Sequence, residues 1–160
     1  MTRWLDPAGR IDVALHLNGG PDRLEATPRT TLADALRDSG LTGTHLGCEH
    51  GVCGACTVLL DGEPVRSCLI LAVQAEGRSV ETVEGLTSID TPTVLQDAFR
   101  EHRAAQCGFC TPGFVVLASW LLRREPQADE ERVREVLSSS LCRCTGYTPI
   151  VAATLAARPR

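Results

Sequence analysis

The sequence predicts an α+β protein made of two small units, and three observations carry that prediction. Period-two apolar alternation and hairpin signals dominate the first half of the chain. From about Glu84 onward every segment has the periodicity of a helix. Each half also holds its own group of four of the eight cysteines. A length of 160 residues suffices for one ordinary domain or two small ones. Small units bury little surface and commonly rely on a metal or on disulfides.

In chain order, Ile11, Val13, Leu15 and Leu17 alternate with Asp12, Ala14 and His16, the pattern of a half-buried strand. Asn18-Gly19-Gly20-Pro21 is a turn, and 23–27 can return as the second arm of a hairpin. Thr31 is placed to cap a short helix over 32–39, with Gly40 ending it. The loop 43–56 follows, with glycines at 43, 47, 51 and 54. Residues 57–60 read as a strand, Asp61-Gly62 as a tight turn, and 64–68 as the returning arm carrying Cys68. The apolar run 69–75 fits either strand or helix, and 80–83 reads as a last strand.

In the second half, Thr91-Pro92 reads as the start of a helix reaching about Arg103. Thr111 is read as the cap, with Pro112, of a helix over 113–124, whose broad apolar face marks it as the most buried. Asp129 caps a third helix over 130–139, and Thr148-Pro149 opens a fourth. Phe114, Trp120 and Trp4 read as core residues. The boundary falls within 76–90, giving units 1–83 and 84–160.

Nothing at the N-terminus has the apolar core of an export signal, and no run approaches the ~20 apolar residues of a membrane span. A cytoplasmic chain without a membrane span is therefore expected. There thiols stay reduced, so clustered cysteines bind metal more often than they form disulfides. A net charge of −4 argues against a nucleic-acid partner.

The first cysteine set is Cys48, Cys53, Cys56 and Cys68. Its C-x4-C-x2-C…C spacing is that of plant-type [2Fe–2S] ferredoxins. A cluster held by four thiolates carries negative charge, and hydrogen bonds from backbone N–H groups to its sulfurs raise the potential. Gly47, Gly51 and Gly54 would let the loop wrap closely enough to present them. The second set is Cys107 and Cys110, then Cys142 and Cys144. Both pairs lie near expected helix starts, where thiol pKa values fall. Taken alone, this second set suits structural zinc as well as an iron–sulfur cluster. His16, His45, His50 and His102 are read as having no metal role, with His50 a bystander in the cluster loop, and Arg143 as an offset to thiolate charge or simply a solvated residue.

Several stretches together resemble a known family. They are Gly47-Cys48-Glu49, Gly51, Cys53-Gly54-Ala55-Cys56-Thr57-Val58, Ser67-Cys68, 106–113 and 141–147. From about Val13 to Ala153 the chain resembles the small iron–sulfur subunit of the molybdenum hydroxylases, the xanthine dehydrogenase, aldehyde oxidoreductase and carbon monoxide dehydrogenase family. One departure is Ser139-Ser140, where members often carry Gly-Asn before the Leu-Cys-Arg-Cys run.

The resemblance implies an N-terminal ferredoxin-like β-grasp domain with one [2Fe–2S] cluster on Cys48, Cys53, Cys56 and Cys68. It implies a C-terminal four-helix domain with a second [2Fe–2S] cluster on Cys107, Cys110, Cys142 and Cys144, which removes zinc from the second set. It further implies a large molybdopterin-binding partner subunit, a medium FAD-binding partner subunit, and assembly as a dimer of heterotrimers. Gln106 and Cys144 match the family residues that approach the pterin. The chain would carry electrons from the molybdopterin centre to FAD and would have no substrate site of its own. A stand-alone two-cluster electron carrier is the alternative.

Overall fold

The computed structural model describes residues 9–86 and 93–159. β1 (Ile11–Leu17) and β2 (Gly20–Ala26) form an antiparallel hairpin pairing Ile11 with Ala26 and Leu17 with Gly20. The turn between them uses Asn18 and Gly19, both at positive φ, the conformation such a two-residue link demands. α1 (Leu32–Asp38) starts at Thr31, whose hydroxyl accepts from the Asp34 N–H at 3.1 Å. Gly40, at φ 95°, follows its end.

β3 (Thr57–Leu60) and β4 (Glu63–Arg66) make a second hairpin around Asp61-Gly62. β5 (Ser79–Glu81) runs parallel to β1 and antiparallel to β3. The result is a five-stranded mixed sheet in the order β2-β1-β5-β3-β4. Val13, Leu15, Leu24, Leu32, Leu36, Val58 and Val80 form its core with α1, as the alternation in β1 predicts.

Three expectations are corrected here. The run 69–75 contains no strand and no α-helix; short 3-10 turns occupy Ser67–Leu69 and Ala72–Ala75. Cys68 therefore lies in the turn after β4, not on the strand. β5 ends at Glu81, and Val83 instead begins α2 (Val83–Leu86), a single helical turn.

α3 (Val94–Glu101) follows. Its cap is Thr93, in a reciprocal capping box with Gln96, while the expected start at Thr91-Pro92 lies outside the described residues, as does Trp4. α4 (Thr111–Arg124) is the central helix, with Phe114, Ala118 and Leu121 fully buried. Its first helical residue is Thr111, so Cys110 occupies the cap position expected for Thr111. Trp120 is only half-buried and lies against the Arg124 guanidinium, 5.4 Å from the ring centroid. α5 (Glu130–Leu137) is capped by Asp129 and stops two residues short of the expected end. α6 (Thr148–Ala156) closes the helical core around Ile150, Val151 and Ala153.

The two cores are distinct, yet α4 is fastened to the sheet. Arg123 makes a two-pronged ion pair with Glu81 of β5 at 2.7 and 3.0 Å, and Arg124 pairs with Glu63 of β4. No helix among the described residues is long and apolar enough to cross a membrane.

Candidate metal centres

The loop carrying Cys48, Cys53 and Cys56 is curled by positive φ at Glu49 (56°), Gly51 (86°) and Gly54 (77°). Gly51 and Gly54 thus serve as expected. Gly47 serves differently, since its φ is ordinary and its importance is space. A Cβ there would lie 3.2 Å from the Phe109 ring. Cys56 and Cys68 are buried at 2% and 7% exposure, whereas Cys48 and Cys53 are half-buried nearer the surface.

In the second set Cys107 opens the approach to α4 and Cys110 caps it, while Cys142 and Cys144 sit in the turn between α5 and α6. A Thr145 hydroxyl donates to the Cys142 sulfur at 3.1 Å, and the Cys142 N–H donates to the Tyr147 hydroxyl, also at 3.1 Å. Tyr147 adopts φ 68° and meets Phe114 edge-on at 6.2 Å, so the turn is anchored in the helical core. Cys110 and Cys142 are half-buried, and Cys107 and Cys144 are exposed.

All eight thiols are free, and within each set they interact mainly two by two. Cys48 faces Cys53 and Cys56 faces Cys68. Cys110 faces Cys142 and Cys107 faces Cys144. Among the described residues, no three Cys, His, Asp or Glu side chains gather as a single ion would require. A diiron unit takes two of the four cysteines on each iron, and each set supplies two such thiol pairs side by side. A lone zinc asks instead for four ligands converging on one point. The donor sets therefore fit [2Fe–2S] clusters.

The thiols differ sharply in acidity. The Cys53 N–H, donating at 3.4 Å, and then the His50 N–H hold Cys48 down to about 6. Burial pushes Cys68 up to about 11, with the Cys56 thiol adding to it. Burial likewise pushes Cys110 up to about 12, reinforced by Cys142. This corrects the expectation that a helix start would lower it: burial outweighs the helix terminus. Burial also works against the Cys142 thiolate, but hydrogen bonds from Thr145 and from the Cys144 N–H prevail, and its pKa falls. The thiol of Cys107 raises Cys144.

The two loops touch. The Leu141 N–H donates to the Cys53 carbonyl at 2.8 Å. His45 donates from Nδ1 to the Phe109 carbonyl at 2.7 Å, and the two rings stack 4.9 Å apart. Arg66 reaches the Ser139 carbonyl and the Thr57 hydroxyl. A Cβ on Gly113 of α4 would lie 2.5 Å from the Gly54 carbonyl. None of these pairings has a signal in the spacing of the cysteines. The structural role of His45 in joining the loops has no counterpart in the sequence, where it is read only as having no metal role.

Gln106 is exposed beside Cys107 and lines a groove of about 740 Å³ with Arg103, Thr111 and Pro112. Along the chain Gln106 thus adjoins Cys107, one of the two exposed thiols. Arg143, between two cysteines, is exposed.

Comparison with known proteins agrees with this geometry. Residues 15–83 match the family described as 2Fe-2S iron-sulfur cluster binding domain, and residues 82–155 match the [2Fe-2S] binding domain. The chain is 53% identical over 150 residues to the nicotine 6-hydroxylase small subunit of Paenarthrobacter nicotinovorans, covering 93% of this chain and 90% of that protein. It is 43% identical over 143 residues to the xanthine dehydrogenase iron-sulfur-binding subunit of Escherichia coli O157:H7, covering 88% and 90%. A chain of quinoline 2-oxidoreductase from Pseudomonas putida 86 superposes with a TM-score of 0.89 at 53% identity, covering 91% of each chain. Those matches, spanning both cysteine sets and the fold that pairs them, show that the chain belongs to the family of small [2Fe–2S] subunits of the molybdenum hydroxylases.

Proposed function

We propose that this chain is the electron-transfer subunit of a molybdenum-dependent hydroxylase. In this reading Cys48, Cys53, Cys56 and Cys68 hold one [2Fe–2S] cluster within a ferredoxin-like domain over 1–83. Cys107, Cys110, Cys142 and Cys144 hold the other within a helical domain over 84–160. When bound, the clusters supply two one-electron way stations. The exposure of the cysteines supports an order for them. Cys107 and Cys144 face outward beside Gln106, where a large molybdopterin-bearing subunit would dock and both residues would meet the pterin. Contact between the Cys53 and Leu141 backbones then keeps the two ligand loops adjacent. Electrons would leave toward an FAD-bearing medium subunit, in a cytoplasmic dimer of heterotrimers.

The single observation that carries this reading is the exposure of Cys107 and Cys144, while the other six cysteines are half-buried or buried. An outward-facing thiol pair suits a centre that exchanges electrons across a subunit interface. The named relatives are small or iron–sulfur-binding subunits of oxidoreductases, which favours this reading over a free-standing carrier. Native purification tests it. The chain should copurify with a large molybdenum-containing subunit and an FAD-containing one, at a mass matching two copies of each. A chain that elutes alone with both clusters intact would point to the carrier.

A further inference from the structure

Between the two ligand loops one buried polar atom has no partner. Ser140 is 1% exposed, and its hydroxyl oxygen forms no hydrogen bond with any protein group. Buried hydroxyls are normally satisfied, so an orphan of this kind calls for an acceptor outside the polypeptide.

The surroundings narrow that acceptor. The Ser140 hydroxyl lies against Gly54, where a Cβ would sit only 2.3 Å from its oxygen. Gly54 belongs to the turn between Cys53 and Cys56. Three carbonyls of that turn are already engaged. The Cys53 carbonyl accepts from the Leu141 N–H, and the Gly54 carbonyl accepts from both the N–H and the hydroxyl of Thr57. The Cys56 carbonyl accepts from the N–H and the hydroxyl of Ser67. The Ser140 backbone is committed as well, its N–H donating to Leu137. The hydroxyl reaches neither these groups nor the remaining Ala55 carbonyl, and the acceptors outside the polypeptide that adjoin this turn are the sulfurs of a cluster on Cys53 and Cys56.

We propose that the Ser140 hydroxyl donates a hydrogen bond to a sulfur of the cluster held at Cys53 and Cys56. A residue of the helical half would thereby tune the redox centre of the other half. This rests on the assignment of that cluster to the first cysteine set. A donor to cluster sulfur favours the reduced, more negative state and so raises the potential.

The test is a potentiometric titration of the assembled complex followed by electron paramagnetic resonance. The ferredoxin-like signal is identified as the one that survives Cys144→Ala. Two reduced-cluster signals and full iron content in the unaltered complex test the underlying assignment separately. Ser140→Ala should keep its iron and lower the potential of the ferredoxin-like cluster alone. A tenfold change in the one-electron equilibrium would read as about 59 mV. Ser140→Thr, which keeps the hydroxyl, should restore the original value. After exchange into D2O, a deuteron coupled to the reduced ferredoxin-like cluster should be present in the unaltered complex and absent in Ser140→Ala. Unchanged potentials in Ser140→Ala would overturn the proposal. So would a shift confined to the other cluster, or loss of iron from Ser140→Ala with the potential of the remaining ferredoxin-like clusters unmoved.

Discussion

The Leu141 N–H donates to the Cys53 carbonyl at 2.8 Å, so a candidate ligand of one centre is bonded to the immediate neighbour of a candidate ligand of the other. The two hydrophobic cores are separate, but the ligand loops are not. His45 stacked on Phe109 and Gly113 pressed against the Gly54 carbonyl close the same seam. Two redox centres in one small chain serve electron transfer only if they are held near each other. Here fixed backbone contacts hold the loops together.

Gly113→Ala distinguishes helix propensity from this seam. Alanine gains up to about 1 kcal/mol in a helix interior. The added Cβ, however, would lie 2.5 Å from a backbone carbonyl that cannot rotate away. Overpacking of that kind costs about 1–3 kcal/mol. Gly113→Ala should therefore lower the melting temperature by several degrees, read by calorimetry, at about 2–4 °C per kcal/mol. An increase would mean that the loops separate readily.

Tyr147→Phe removes the oxygen that accepts the Cys142 N–H while leaving the edge-on packing with Phe114. An unpaired, half-buried N–H costs about 1–3 kcal/mol. The variant should lose iron from the helical site faster under chelator, with the ferredoxin-like signal preserved in electron paramagnetic resonance. Equal rates of loss in variant and parent would show that Tyr147 only packs.

The metal-free protein should react unevenly with iodoacetamide. Thiolates are the reactive form, and Cys48 is held near 6 while Cys68 and Cys110 are pushed to about 11 and about 12. At pH 7.5 Cys48 is mostly ionised and should be modified well ahead of the other two, as read by peptide mass mapping. Its rate should be nearly flat above pH 7 and fall about tenfold per unit below pH 6. Cys68 and Cys110 should instead keep rising up to their own pKa values.

Cys144→Ala should abolish the helical-domain signal in electron paramagnetic resonance and stop electron flow. The other signal should remain, because each set closes on its own core. Loss of both would mean that the shared seam makes the two sites one folding unit.

Much of this was legible in the sequence because its signals are local. Alternation in β1, the Asp61-Gly62 turn, the Thr31 and Asp129 caps and the burial of α4 all depend on neighbours a few residues away. The grouping of the first four cysteines, three on one glycine-rich loop and one at the end of the hairpin that follows, was equally legible. What escaped depends on distance along the chain. Nothing in the C-x2-C and C-x-C spacing says that Cys107 meets Cys144 while Cys110 meets Cys142, since that follows from how α4, α5 and α6 fold back. The capping position at Cys110 shifted by one residue because Thr111 and Pro112 both fit the first turn. Cys68 moved off its strand because the chain bends into a 3-10 turn at Ser67, whose hydroxyl bonds back to the Cys56 carbonyl. The acidity of Cys110 was misjudged for a related reason. A helix start lowers a thiol pKa only where burial does not oppose it.

The most direct test of the account is quantification of iron, acid-labile sulfide and zinc in the natively purified chain. Two [2Fe–2S] clusters on eight cysteines predict about four irons and about four sulfides per chain, without zinc. About two irons together with one zinc would contradict it, placing a structural metal at one of the two cysteine sets.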